Sequence, residues 1–179
     1  MCVIEAVIAV MSSGRPMELP DGTRLTPGEA AGMLSRLDFP QQWLILAKGG
    51  DSEARALLRG WLWQEAAEMA VKRGWRATRG ASRLEGMAEV VCRELTGGKC
   101  TPLEIAECLG FTGYQAKANY WLSPWTLRLQ DFRKMGRAME CETKARLKDE
   151  FYSNKTANKT AGHSAVSAHE RGMEPMAGG

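Results

Sequence analysis

Histidine is scarce in this chain: there are two among 179 residues, His163 and His169, both near the C-terminal end. The five cysteines, Cys2, Cys92, Cys100, Cys108 and Cys141, form no Cys-x-x-Cys pair. A zinc centre needs clustered thiolate and imidazole donors, so no metal site is expected. The odd, scattered count fits reduced thiols, with Cys92 and Cys108 packed on helix faces. The sequence also lacks a phosphate-binding glycine loop, an internal repeat and a nucleophile with a base beside it. Its glutamates are spread over helix surfaces, so the expectation is no enzyme, no catalytic residue and no cofactor. Apolar runs are short as well. The opening CVIEAVIAVM is interrupted by Glu5 and has no basic leader, so neither a bilayer span nor a secretory signal is expected. No membrane partner is expected, and the expected location is the cytoplasm.

What is present suits one compact domain with a core, followed by a tail. The formal charge of +3 is too small to imply a nucleic-acid partner by itself. Its distribution says more. Residues 1–71 carry six Lys/Arg against nine Asp/Glu, whereas residues 72–179 carry eighteen against twelve. A basic second half suits an anionic partner on one side of the molecule.

The chain reads as mainly α. Residues 2–12 are apolar nearly throughout. Their β-branched residues favour a strand, but their length and the Ser12-Ser13-Gly14 stop favour a buried helix. Met17-Glu18-Leu19 and Thr23-Arg24-Leu25 flank Pro20-Asp21-Gly22, which predicts a small β-hairpin packed on helices. Thr26-Pro27-Gly28-Glu29 is a capping box opening a helix to about Leu37. A short helix follows over residues 41–48. Asp51 then caps a longer one to about Arg73, whose tryptophans read most simply as core. Residues 72–83 hold Lys72, Arg73, Arg76, Arg79 and Arg83 with no acid. They suit contacts to a phosphate backbone, with Trp75 stacking on a base or packing below; a solvated connector explains them as well. Ser82 and Glu85 form another capping box for a helix through Leu95, with Leu84, Met87, Ala88, Val91 and Leu95 facing in.

The stretch over residues 100–122, CTPLEIAECLGFTGYQAKANYWL, reads as a helix-turn-helix. Thr101 caps its first helix, Pro102 takes the first position and Glu104 closes the capping box. Ala106 permits close approach of the two helices, Gly110 makes the turn and Phe111 tucks beneath it. Thr112 is expected to cap the second helix. Thr112, Gly113, Tyr114, Gln115, Lys117, Ala118, Asn119 and Tyr120 are the candidate contacts to double-stranded DNA, since their amide, ammonium and hydroxyl groups suit base edges and phosphates. A structural helix pair is the competing reading. Ser123-Pro124 restarts a helix to about Tyr152, with Trp125, Leu129, Phe132, Met135 and Met139 as its apolar stripe. Lys144 is expected to pair with Glu140, and Arg146 with Glu142. The organisation is then an N-terminal helical region with a hairpin over residues 1–80, a DNA-binding region and long helix over 81–152, and a disordered tail over 153–179.

On the PLEIAECLGFTGYQAKANYWL motif and the helices around it, the chain resembles the phage late-gene transcription antiterminators of the lambdoid Q type, in the branch without a zinc finger. The motif is also similar to the DNA-binding region of sigma factors. The resemblance covers residues 40–150 in outline; Ala116, Asn119 and Pro124 depart from the usual pattern. It implies a sequence-specific DNA-binding regulator that loads onto paused RNA polymerase with its sigma factor in the host cytoplasm and suppresses termination. Two further functions are compatible with the same residues: a terminase small subunit, which adapts DNA for packaging, and a helical protein-interaction module with a structural helix-turn-helix. The oligomeric state is not legible.

Overall fold

The computed structural model describes residues 2–75 and 80–170, with residues 80, 81, 154 and 156–170 as helical backbone. The described elements are α1 (Val3–Ser13), β1 (Met17–Glu18), β2 (Arg24–Leu25), α2 (Pro27–Ser35), α3 (Phe39–Lys48), α4 (Ser52–Lys72), α5 (Gly80–Leu95), α6 (Pro102–Cys108), α7 (Ala116–Trp121) and α8 (Trp125–Glu170). The protein is mainly α, with one two-stranded antiparallel hairpin near its N-terminus. No helix among the described residues is long and apolar enough to cross a membrane.

Short-range chemistry starts most of these helices. In α2 the Thr26 hydroxyl accepts from the Glu29 amide at 3.3 Å, while the Glu29 carboxylate accepts from the Thr26 amide at 2.9 Å. Two donors that the first turn would otherwise leave bare are thereby satisfied. Asp51 caps α4 by accepting from the Ala54 amide at 2.9 Å. In the hairpin Met17 faces Leu25 and Glu18 faces Arg24. Gly22 takes the left-handed φ of 77° that the turn requires, and Asp21 accepts from the Thr23 amide at 3.0 Å. The hairpin is too small to stand alone, and it buries Leu19 and Leu25 against α1 and α2.

Two apolar clusters make the core. One gathers α1, the hairpin and α2 around Val7, Leu25 and Met33, and is closed by Leu147 and Phe151 of α8. The other gathers α3 to α8 around Leu58, Leu62, Met87, Leu109 and Phe132. Burying each such side chain stabilises the fold by about 1.5–3 kcal/mol. Thus α3 and α4, which the sequence groups with the N-terminal region, also build the second core with α5–α8. α8 serves both clusters along its length. Of the predicted stripe, Trp125, Leu129, Phe132 and Met139 are buried and Met135 is half-buried.

Three boundaries differ from the sequence reading. Gly80 is the first residue of α5, so the Ser82/Glu85 pair falls in the first turn and does not open the helix. Glycine is a poor helix former, but at the first position of α5 it costs little, and Ala81 after it is a strong one. α8 continues past Tyr152 to Glu170 through a segment rich in alanine and free of proline. Residues 171–179 of the expected tail lie outside the described residues. The third difference concerns α7 and belongs to the candidate site.

Long-range polar contacts fasten the frame. Arg146 donates to Asp38 and to Gln41, each at 2.7 Å, and to the Arg36 carbonyl at 3.0 Å, so α8 clamps the α2–α3 junction. The expected Arg146 partner was Glu142; the geometry instead turns the guanidinium across to α3. Lys144 does pair with Glu140, at 3.1 Å, and Lys48 reaches the same carboxylate at 2.7 Å. Burial works against ionisation of Glu140, but the two ammoniums overcome it and hold the carboxyl below its ordinary range.

Candidate nucleic-acid interface

α6 is built as its sequence dictates. The Thr101 hydroxyl accepts from the Glu104 amide at 3.3 Å, and the Glu104 carboxylate accepts from the Thr101 amide at 2.6 Å. Those hydrogen bonds hold the Glu104 carboxyl below its ordinary range. Ile105, Ala106 and Leu109 are buried, with Ala106 in the second core cluster. α6 packs on α5 at one side and on α7 at the other. The approach to α5 is very close: a Cβ on Gly86 would lie 1.9 Å from the Cys108 carbonyl oxygen.

The turn departs from expectation. α7 begins at Ala116, not after a Thr112 cap, and residue 115 takes the N-cap position. Gly113 sits at a φ of 86°, which no helical turn contains, so residues 112–115 remain connector; the Ala116 amide donates to the Gly113 carbonyl at 3.0 Å. Residues 109–115 therefore join the helices, a longer link than the roughly three to four residues of a compact helix-turn-helix. Gly110 supplies a second left-handed position, at 74°, and Phe111 tucks under the turn, its amide donating to the Ala106 carbonyl at 2.9 Å.

Seven of the eight candidate base and backbone contacts are exposed. Thr112, Gly113, Tyr114 and Gln115 lie in the connector, and Lys117, Ala118 and Asn119 lie on α7. Tyr120 is the exception, being 2% exposed. Its ring meets Phe111 at 6.0 Å and its carbonyl accepts from the Ser123 and Thr126 hydroxyls, so it is a packing residue and not a surface contact. Burial pushes its phenol pKa up. Ala116, one of the residues that depart from the usual pattern of the motif, is buried in the second core cluster.

The basic stretch divides. Lys72 pairs with Glu68 at 3.0 Å and Arg73 with Asp131 at 2.5 Å, so neither stands as a free cation. Arg76 and Arg79 lie outside the described residues. Arg83 is carried to the motif itself: its guanidinium lies 4.5 Å from the Phe111 ring centroid and 5.5 Å from that of Trp125. Trp75 packs edge-on against Trp125 at 6.4 Å. Of the two expectations for this tryptophan, packing below is what the geometry shows. Arg128 completes the group, 4.6 Å from Trp125 and 5.4 Å from Trp75.

The sequence reading missed Arg128 as a site residue. Its signal was present, since Trp125 and Arg128 stand three apart on a helix and share a face. Among the described residues, Arg83 and Arg128 take part in no ion pair and lie instead against aromatic rings. Lys117 is also without one, as are Arg15, Arg24, Arg55, Lys99, Arg137 and Lys148 elsewhere among the described residues. Burial also raises the pKa values of Cys100 and Cys108, so the thiols flanking α6 are neutral near pH 7 and add no negative charge. All five cysteines are free thiols, and no group of metal-ligating side chains occurs among the described residues. Compared with known protein families, curated proteins and solved structures, the chain matches none of them.

Proposed function

We propose that this protein is a sequence-specific DNA-binding regulator that presents the connector before α7, and α7 itself, to double-stranded DNA. One observation carries the reading. The exposed row of Thr112, Tyr114, Gln115, Lys117 and Asn119 follows Phe111, whose ring belongs to an aromatic frame that carries two arginines, Arg83 and Arg128. Both are held by cation–π contact, with no carboxylate paired to either among the described residues. Polar side chains of this kind read base edges, and unneutralised cations supply the affinity for phosphate. In its sharpest form the reading is a phage antitermination factor acting on RNA polymerase and its sigma factor. That finer statement is supported by the resemblance of the motif over residues 102–122.

A second reading has its own observation. Trp121, Leu122 and Leu127, at the α7–α8 junction, are large apolar side chains more than half exposed, which favours a helical protein-interaction module. A terminase small subunit would combine DNA binding with such a docking surface, and its ring assembly predicts a large particle mass.

The test is capture of genome fragments at two salt concentrations, with sequencing of what is retained. The expected result is enrichment of one promoter-proximal site by the wild-type chain. The variant Gln115→Ala/Lys117→Ala/Asn119→Ala should lose that site while keeping its helical circular dichroism. Equal retention by the folded variant would remove α7 from the account. No retention at either salt concentration would leave the protein-interaction reading.

A further inference from the structure

We propose that Arg83 and Arg128 act together as a phosphate grip on the flank of the α6–α7 unit; the inference rests on the DNA-binding reading and assigns it a backbone contact. The two residues come from the first turns of different helices, α5 and α8. Both rest on one aromatic frame, made by Phe111, Trp75 and Trp125. Arg83 lies over Phe111 and Trp125, and Arg128 over Trp125 and Trp75. Both guanidiniums therefore stand within 5.5 Å of one ring centroid, that of Trp125.

The arrangement favours an anion beside it. Two like charges sharing a ring repel each other, and both side chains are half-buried, where water screens that repulsion less than at an open surface. The carboxylate one turn along from Arg128 is Asp131, and it is already occupied by Arg73 at 2.5 Å and Lys134 at 3.3 Å. The aromatic faces offset part of the repulsion by cation–π attraction, and they restrain each guanidinium as a flat plate. A restrained guanidinium keeps its N–H edge available for two parallel hydrogen bonds to one phosphate, at a smaller entropy cost than a free arginine.

Position argues for nucleic-acid phosphate over other anions. Phe111, beneath Arg83, is followed directly by Thr112, the first residue of the exposed row. A strand whose bases face residues 112–119 would thus place its backbone beside the pair. Phosphate contacts of this sort fix register and orientation, while the row supplies sequence discrimination.

The experiment measures affinity against salt concentration for two short duplexes, the captured site and an unrelated sequence, using wild type, Arg83→Gln, Arg128→Gln and Arg128→Lys. Each phosphate contact contributes about 0.9 to the slope of log affinity on log salt. The expected result is that Arg83→Gln and Arg128→Gln each flatten the slope by about one on both duplexes. Arg128→Lys should restore the slope, since it keeps the charge, yet bind more weakly because it loses the planar fork. Thermal melts establish that the variants are folded, and if Arg128→Gln is not, Arg83→Gln reads the same slope. Unchanged slopes in folded variants that still bind DNA would overturn the grip alone. Failure of the wild-type chain to bind either duplex would overturn the DNA-binding reading and the grip with it.

Discussion

Gly86 of α5 and the carbonyl of Cys108 at the end of α6 approach so closely that a Cβ on Gly86 would stand 1.9 Å from the carbonyl oxygen. The contact is backbone to backbone, so no side-chain rotation can make room. Gly86→Ala should push α6 off α5 and destabilise the fold by about 3 kcal/mol, at the upper end of ordinary overpacking. Gly60, on the exposed side of α4, supplies the opposite sign. Nothing lies within 4 Å of its added Cβ, so Gly60→Ala should stabilise by about 0.5–1 kcal/mol through higher helix propensity. Gly136 falls between, since its Cβ would meet the Val91 methyl at 2.9 Å and a side chain can shift. Urea denaturation of the three variants measures the series. A cost for Gly86→Ala no larger than that for Gly136→Ala would mean that α6 moves freely against α5.

These contacts show why parts of the molecule were legible in the sequence and others were not. The capping boxes of Thr26 with Glu29 and Thr101 with Glu104 span three residues, so local chemistry suffices to place them. The hairpin turn is equally local. The start of α7 is not, because the left-handed Gly113 depends on how the connector crosses α6, and a threonine ahead of a helical run resembles a cap in any context. Tyr120 reads as an exposed hydroxyl until Phe111 folds against it. Arg146 has an acceptable partner four residues away in Glu142, yet its guanidinium bonds Asp38, 108 positions distant in the chain. The same holds for the candidate site. The exposed row is a pattern in sequence, whereas the convergence of Arg83 and Arg128 on Trp125 exists only in the packed fold.

The Arg146 clamp separates a surface ion pair from a buried hydrogen bond. Asp38 is largely exposed and is the N-cap of α3, so Asp38→Asn, which removes the charge and keeps a capping side chain, should cost well under about 1 kcal/mol. Gln41 is 4% exposed and its side-chain oxygen depends on Arg146, with a long 3.4 Å approach from the Asp38 amide as its other partner. Arg146→Met should therefore cost about 1–3 kcal/mol, the range for leaving a buried acceptor short of a donor. Thermal or chemical unfolding of both variants tests the ordering. Equal costs would mean that the ion pair, and not Gln41, carries the clamp.

Thiol reactivity should follow burial. Cys92 is buried beside the Arg55 carbonyl, and burial, with Glu89 nearby, pushes its thiol up to about 11. Cys2 and Cys141 are exposed, and Cys100 and Cys108 are intermediate. Under native conditions near pH 8, iodoacetamide should label Cys2 and Cys141 first and Cys92 last, with all five equalising in denaturant. Peptide mass spectrometry over a time course reads the order. Early modification of Cys92 in the folded chain would show that α4 and α5 open at that point far more readily than their shared core implies.

Acid should loosen the contact between α8 and the hairpin. The Lys155 ammonium, 2.5 Å from Asp21, is the largest influence on that carboxyl, and the Thr23 amide adds to it; together they lower its pKa from 3.8 to about 2. A carboxyl with a depressed folded pKa contributes stability above its unfolded value, and that contribution fades as pH falls through the folded one. For Asp21 the window runs from about 4 down to about 2. Because the pair is well exposed, salt should weaken it. In Lys155→Met the Asp21 titration midpoint, followed by carboxyl-carbon NMR, should rise yet stay below 3.8, because the Thr23 amide still donates. A midpoint that Lys155→Met leaves near 2 would assign the depression to the turn alone. Lys155 would then not be the contact that fastens this part of α8 to the hairpin.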